Sequence, residues 1–197
     1  MSAGELRGRK PRADVQRNRV ALLETAQRHF LQHGVGTSLE AVAKEAGVGP
    51  ATLYRHFPTR EALLAAVLQT RSEELVARQA DIEQLVDAAE ALEQWLRAME
   101  EYFSAFSGLP DPLMAAARAQ EPDNPLTIPC DILISATDQY VRAAQLAGRV
   151  RASVRGHDLF LAACSVAWIK GTGTDEEPLD RLRTLIADGY RERDTQA

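Results

Sequence analysis

The chain has 197 residues, of which 45% are hydrophobic and 26% charged, so disorder of the whole chain is excluded and one or two globular domains are expected. No apolar run approaches the ~20 residues of a membrane-spanning helix, and the N-terminus lacks the apolar stretch of a secretory signal. Two cysteines alone build neither a disulfide framework nor a zinc cluster. We therefore expect a cytoplasmic protein with no membrane partner, no metal and no cofactor.

The net charge of −5 is unevenly distributed along the chain. Residues 1–70 hold ten Lys and Arg against six Asp and Glu, a net charge of +4, whereas residues 71–197 carry −9. A basic head joined to an acidic body indicates one part that faces a polyanion such as DNA and another part that does not.

The first 13 residues combine four basic side chains with no hydrophobic periodicity, so we expect a flexible basic arm over residues 1–13. Such an arm can place arginine in the minor groove of DNA, and the alternative is a solvated tail without a partner. The candidate groove-binding residues are Arg7, Arg9 and Lys10.

Three short helices with clear ends are predicted after the arm. In the second helix, Thr37 as N-cap and Glu40 three residues later form a capping box, and Gly47 ends the helix. The third helix begins at Pro50, because proline suits the first helical position. The predicted bounds of the three helices are 14–33, 38–46 and 50–56.

The rest of the chain also predicts helices, separated by glycine, proline or a new capping residue. Thr59 is predicted to cap a long helix that breaks near Val86, and Asp87 followed by Glu90 marks the next start. No alternating strand pattern stands out, so the chain is predicted to be all-α with about nine helices. Later helices are predicted at 112–119, 131–147, 156–170 and from 178 onward.

The segment LEAVAKEAGVGPATLYRHF, residues 39–57, has the spacing of a helix-turn-helix. Ala43 is small enough for the second helix to cross the first, Gly47 makes the turn at positive φ, and Val48 fills the space between the helices. The second helix of such a motif enters the major groove of DNA with its N-terminal end. We therefore predict a helix-turn-helix DNA-binding domain over residues 14–59.

The stretch TSLEAVAKEAGVGPATLYRHFPTREALL, residues 37–64, with AQRHFLQHG upstream, resembles the TetR family of one-component transcriptional regulators. The resemblance covers about the first third of the chain and departs from the common family pattern at Pro50 and Ala51. It implies a three-helix DNA-binding domain followed, over residues 60–197, by a helical effector-binding and dimerisation domain. The implied partners are a double-stranded DNA operator, a second copy of the chain and an unknown small-molecule effector.

The same resemblance implies roles for residues around the recognition helix, with packing inside the small domain as the alternative for Tyr54 and His56. Base-edge contacts are expected from Pro50 and Thr52, phosphate contacts from Tyr54 and His56, and either kind from Arg55. Further phosphate contacts are expected at two helix N-termini. These are assigned to Thr37, Ser38, Thr59 and Arg60.

The resemblance also implies that the last two helices pair with their symmetry mates in a four-helix bundle. The candidate interface residues are Phe160, Ala163, Cys164, Ala167, Leu182, Leu185 and Ile186. A pocket for an apolar or aromatic effector is expected among the fifth to eighth helices. Its candidate lining residues are Trp95, Met99, Tyr102, Phe103, Phe106, Met114, Tyr140 and Trp168. Core packing within one protomer is the alternative for both sets.

The function predicted from the sequence is a sequence-specific transcriptional regulator, dimeric on a near-palindromic operator. The resemblance to the TetR family favours a repressor that a bound ligand shifts away from the DNA-binding state. An enzyme is disfavoured, because the chain has no nucleophile elbow, phosphate loop or paired metal motif, and GTGTD at 171–175 follows a helix rather than a strand. The alternative is a DNA-binding or interaction module of the same fold that needs no ligand.

Overall fold

The computed structural model describes residues 9–192, with side chains from residue 13 onward, and these residues form nine α-helices. In chain order they are α1 (Arg9–His33), α2 (Leu39–Glu45), α3 (Pro50–His56), α4 (Arg60–Ile82), α5 (Ala88–Phe103), α6 (Pro110–Ala119), α7 (Thr127–Leu146), α8 (Gly156–Gly171) and α9 (Glu176–Tyr190). The all-α prediction is confirmed. None of the described helices is long and apolar enough to span a bilayer.

Four helices begin earlier than the sequence predicted, and each contains proline in its first turn. Proline is the third residue of α1, α7 and α9, at Pro11, Pro129 and Pro178, and it is both the first and third residue of α6. The first four N–H groups of a helix have no acceptor within it, so proline there removes no hydrogen bond. The predicted arm is therefore corrected, since residues 9–13 belong to α1 and residues 1–8 lie outside the described part.

Polar side chains cap the N-termini of α2, α4 and α5. The hydroxyls of Ser38 and Thr59 each accept the N–H three residues later, at 3.2 and 3.1 Å, and the Asp87 carboxylate caps α5. The predicted roles of Thr59 and Asp87 are confirmed. The predicted N-cap Thr37 is wrong by one residue, because its hydroxyl turns inward and lies 3.3 Å from Nδ1 of His29.

The N-terminal head, formed by α1, α2, α3 and the start of α4, is organised around one face of α1. Leu22, Ala26 and Phe30 recur every four residues on that face, and all three are completely buried. Their stripe packs with the inward residues of α2 and α3, including Val42 and Leu53. This core holds the two helices of the helix-turn-helix at a fixed angle.

The C-terminal body is centred on α5, α7 and α8. Trp95 of α5 stacks on Tyr140 of α7 with ring centroids 5.4 Å apart, and its indole N–H donates to Thr137 at 2.9 Å. Phe103 of α5 meets Phe160 of α8 edge to face at 5.4 Å. Aromatic pairs of this kind contribute about 0.5–1.5 kcal/mol beyond the area they bury.

Head and body meet where the α1–α2 turn lies against the turn after α5. The backbone N–H of Val35 donates to the carbonyl of Ser107 at 2.9 Å, and a Cβ on Gly34 would lie 2.7 Å from the same oxygen. Beside this contact, Phe30 packs edge to face on Phe106 at 5.7 Å. The junction combines a backbone hydrogen bond with a close approach that Gly34 permits.

The last helix is tied to the body by a buried ion pair. The Arg183 guanidinium of α9 donates to Glu100 of α5 at 2.8 Å, and also to Glu176 and Asp180 on its own helix at 2.6 and 2.8 Å. Glu100 is only 6% exposed. Burial raises the pKa of the Glu100 carboxyl, and the neighbouring guanidinium opposes that rise.

We predict that Arg183→Ala lowers the free energy of unfolding by about 3 kcal/mol, because it leaves the buried Glu100 without its counter-charge. Urea denaturation followed by circular dichroism measures this loss. Adding Glu100→Gln to the Arg183→Ala variant should restore part of the stability, since an amide is cheaper to bury than an unpaired carboxylate. A loss below about 1 kcal/mol would show that the pair behaves like an exposed surface ion pair.

Candidate functional site

The recognition helix α3 has a buried face and an exposed face. Leu53 and Phe57 are 0% and 2% exposed and anchor α3 in the head. Pro50 and Arg55, near opposite ends of the helix, are exposed, and Thr52 is half-buried. The residues predicted to reach base edges are therefore at least partly accessible, and Leu53 and Phe57 are core residues.

The carboxylate of Glu40, which the sequence assigned only to a capping box with Thr37, lies beside two predicted phosphate-binding residues. The hydroxyl of Tyr54 on α3 donates to one carboxylate oxygen of Glu40 on α2 at 3.0 Å. The hydroxyl of Ser38 donates to the other oxygen at 2.9 Å. Tyr54, Ser38 and Glu40 are all exposed, so this small network lies on the surface of the helix-turn-helix.

Arg60, predicted to bind phosphate at the start of α4, points into the protein instead. Its guanidinium donates to the carbonyls of Val35 and Thr37, both at 2.6 Å. Loop carbonyls without a helical partner need a donor, and the five N–H groups of an arginine can serve two at once. Arg60 thus ties α4 to the α1–α2 loop, while its phosphate contact stays a prediction, and Thr59 remains exposed as the α4 cap.

His29 helps to position α2, a role that the sequence analysis did not assign. The side chain is 8% exposed in the head, and its Nε2 lies 2.8 Å from a carboxylate oxygen of Glu45 at the end of α2. Arg28 donates to the other oxygen of Glu45 at 3.0 Å. The available signal was register, because His29 follows Leu22 and Ala26 on the inward stripe of α1.

The remaining predicted DNA contacts lie at the ends of the head. His56 is half-buried at the end of α3, with its ring centroid 6.3 Å from that of Phe57. The structure places the backbone of Arg9 and Lys10 in the first turn of α1, while Arg7 lies outside the described residues. None of these placements by itself assigns a contact with DNA.

The predicted effector-pocket residues divide into three groups. Trp95, Met99, Phe103, Phe106 and Tyr140 are at most 9% exposed and pack in the interior of the body. Tyr102 and Met114 are half-buried, and the Tyr102 hydroxyl donates to the carbonyl of Leu68 on α4 at 3.0 Å. Trp168 is 47% exposed on the outside of α8, which corrects its assignment to an interior pocket.

Two open clefts lie beside this interior. One of about 330 Å³ lies between α5, α8 and α9, where the apolar residues Leu96 and Val166 share the wall with Arg97 and Glu100. Another of about 250 Å³ lies between α4 and α5, and Tyr102 is the predicted pocket residue that lines it. Trp95 and Tyr140 line neither cleft.

The predicted interface residues are also divided by the structure. Phe160, Ala163, Cys164 and Ala167 are at most 3% exposed and face the core of their own protomer, so their assignment to an interface is corrected. The apolar stripe of α8 was located correctly, but periodicity does not say which neighbour covers a stripe. On α9, Leu185 is 69% exposed, whereas Leu182 and Ile186 are half-buried.

The geometry defines a helix-turn-helix DNA-binding domain carried by a larger helical body, and comparison with known proteins places it in a family. Residues 22–67 match the profile of the bacterial regulatory proteins of the TetR family. Residues 87–192 match the C-terminal domain of SbtR-like transcriptional regulators. The second match covers more than half of the chain, and the chain belongs to the TetR family of transcriptional regulators.

Relatives of known name or structure agree with this assignment. The regulator UidR from Escherichia coli K12 is 33% identical over 66 residues, which are 33% of this chain and 34% of UidR. This chain thus spans about a third of the length of the curated relatives it matches first. A TetR regulator from Streptomyces coelicolor is 33% identical over 88% of this chain and 98% of its own, with a TM-score of 0.56.

A more distant structure, RolR in complex with resorcinol, shares the fold with a TM-score of 0.65 at 15% identity, over 91% of this chain and 90% of RolR. The family and its relatives are transcriptional regulators and not enzymes. The prediction of a helix-turn-helix regulator is therefore confirmed.

We predict that two arginines of the head behave differently when each is replaced by alanine. Arg55→Ala should leave thermal stability unchanged and lower both DNA affinity and the steepness of its salt dependence, by about 0.9 for each phosphate that the variant no longer binds. Arg60→Ala should lower the free energy of unfolding by about 1–3 kcal/mol, since it leaves two loop carbonyls without a donor. Calorimetry and fluorescence anisotropy at several salt concentrations measure both effects. Equal stability of the two variants would contradict the structural role of Arg60.

Proposed function

We propose that the protein is a dimeric repressor that binds a near-palindromic DNA operator and is released by a small apolar or aromatic ligand. The observation that carries the DNA-binding part is the accessible surface of α3, held by a buried anchor at Leu53 and Phe57. We assign DNA binding to the residues up to 59, and effector binding and dimerisation to residues 60–197. Genomic DNA as the target places the regulator in the cytoplasm.

Base edges are the proposed targets of three accessible or half-buried residues of α3. Pro50 offers apolar contact to a thymine methyl group, Thr52 can hydrogen-bond or contact the same group, and Arg55 can reach guanine. Arg55 can reach phosphate as an alternative to guanine. The other proposed phosphate contacts, which set register rather than sequence, are Thr37, Ser38, Tyr54, His56, Thr59 and Arg60. Arg9 and Lys10 at the start of α1, with Arg7 before it, remain candidates for the minor groove.

The operator is tested by selecting sequences from a random duplex library with the full-length protein. Enrichment of a two-fold symmetric sequence with half-site centres about one helical turn apart, or a multiple of it, is the expected result. Anisotropy with excess random duplex then measures specificity. A library that yields no preferred sequence would contradict sequence-specific regulation.

Dimerisation through the outer faces of α8 and α9 is supported by exposed apolar side chains on both helices. Trp168 on α8 and Leu185 on α9 are 47% and 69% exposed, although large apolar side chains favour burial. The half-buried Leu182 and Ile186 flank Leu185 on α9. A two-fold axis through this face would pair it with its own copy, as an isologous interface requires.

We predict that Leu185→Glu converts the protein to a monomer and lowers operator affinity by about 100-fold, because each protomer then binds its half-site independently. Light scattering coupled to size exclusion measures the mass, and anisotropy measures the affinity. Val76→Glu is the matched control, since Val76 is 62% exposed on α4. A dimeric Leu185→Glu variant would contradict this interface.

Effector binding within the body is supported by one buried polar atom that lacks a partner. The Tyr140 hydroxyl is buried and makes no hydrogen bond with any described residue. Burial raises the pKa of Tyr140 to about 12, so the hydroxyl keeps its proton and remains a donor. Stacked on Trp95, this donor suits an aromatic or apolar ligand that carries a hydrogen-bond acceptor.

We predict that Tyr140→Phe raises the free energy of unfolding by about 1 kcal/mol, because it removes a buried hydroxyl that has no partner. The same variant should respond less to effectors with an acceptor group. Thermal shift with a compound library, run on both proteins in parallel, measures stability and response together. If the wild-type and Tyr140→Phe proteins respond equally to every compound that binds, Tyr140 is not part of the effector site.

A regulator of the same fold without an effector is favoured by a different observation. Trp95, Met99 and Phe103 are at most 1% exposed and close-packed, so the interior of the body is filled by its own side chains. A compound that releases the operator in the anisotropy assay decides for the ligand-responsive repressor. Operator binding that no stabilising compound changes would decide for the ligand-independent module.

A further inference from the structure

One carboxylate on the surface of the helix-turn-helix accepts hydrogen bonds from two residues that are proposed to bind DNA phosphates. Glu40, in the first turn of α2, accepts from the hydroxyl of Tyr54 at 3.0 Å and from the hydroxyl of Ser38 at 2.9 Å. Its own backbone N–H and these two hydroxyls hold the pKa of Glu40 below its usual range. The side chain is exposed, so an ionised carboxylate faces the solvent that DNA would replace.

Each hydroxyl has one hydrogen to donate, so a hydroxyl bonded to Glu40 has none left for a phosphate oxygen. Ser38 also accepts the N–H of Ala41 as the α2 cap at 3.2 Å, which restrains its orientation. Glu40 also raises the pKa of Tyr54, through the hydrogen bond first and the negative charge second. The Tyr54 hydroxyl therefore stays protonated, and in the free protein it donates to Glu40.

We propose that Glu40 is an internal competitor of the DNA backbone, which holds the Tyr54 and Ser38 hydroxyls in the free protein and must release them before they bind phosphate. This inference rests on the proposed DNA contacts of those two residues. Binding then breaks two hydrogen bonds and brings a carboxylate near phosphates. Glu40 thus lowers affinity for every duplex, whatever its base sequence.

A penalty that is independent of sequence has a functional consequence. The genome offers an excess of random sites whose binding comes from phosphate contacts alone, whereas the operator adds contacts to bases. When the phosphate contacts are weakened, the base contacts of α3 contribute a larger share of the binding free energy and determine which DNA sites are occupied. Glu40 would in this way limit occupancy of random DNA.

The experiment compares Glu40→Ala with the wild-type chain on two fluorescein-labelled duplexes, one of random sequence and one recovered by operator selection. Anisotropy titrations at several salt concentrations give the affinity and its salt dependence. We expect Glu40→Ala to bind both duplexes about threefold to tenfold more tightly, since it frees two donors and removes one charge. The slope of log affinity against log salt should steepen by about 0.9.

Two further variants separate the competition from a general charge effect. Glu24→Ala removes an exposed carboxylate from α1 and should change either affinity much less than Glu40→Ala does. In a Tyr54→Phe background, Glu40→Ala should gain less affinity, because one of the two donors it releases is gone. Full additivity of Tyr54→Phe and Glu40→Ala would overturn the proposed competition.

Two other outcomes would also overturn the inference. One is unchanged affinity of Glu40→Ala for both duplexes. The other is weaker operator binding with altered preference at one base pair, which would make Glu40 an acceptor for a cytosine amino group in the major groove. If the wild-type chain binds neither duplex at low salt, the proposed function itself fails and the inference fails with it.

Discussion

The backbone contact between the α1–α2 turn and the turn after α5 sets where the DNA-binding head lies on the body. Gly34 has a φ of +74°, and any side chain there would meet the Ser107 carbonyl at 2.7 Å. The next residue, Val35, donates its N–H to that same oxygen at 2.9 Å. Ser38, the cap of α2, follows three residues later, so this contact holds the loop that leads into the helix-turn-helix.

Polar side chains hold the same short loop from two other elements. Arg60 at the start of α4 donates to the carbonyls of Val35 and Thr37, and His29 of α1 contacts Thr37 and Glu45. Hydrogen bonds need particular distances and angles, so they specify one arrangement more strictly than apolar contact does. A shift of the turn after α5 would therefore move the start of α2, which is the coupling that a ligand-controlled switch requires.

The sequence predicted which α3 residues are accessible but not the contacts that the site residues make with one another. The exposed residues Pro50, Tyr54 and Arg55 follow from the helix-turn-helix spacing, because a buried anchor every few residues leaves the intervening positions outside. The contacts of Arg60 with the α1–α2 loop and of Glu40 with Tyr54 were missed, because their partners come from other elements. Whether an exposed-looking charge binds DNA or a neighbouring loop depends on distances that sequence spacing does not contain.

The sequence by itself predicted an all-α chain, the caps at Thr59 and Asp87 and the helix-turn-helix, because these depend on local hydrogen bonding and on periodicity within one segment. Its resemblance to known regulators indicated the family. Only the tertiary structure decided which apolar stripes face inward. Phe160 and Cys164 became core while Trp168 and Leu185 stayed exposed, although all four lie on helices with apolar residues at helical spacing. The physical reason is that burial requires two surfaces in contact, so an apolar stripe becomes part of the core only when another element packs against it.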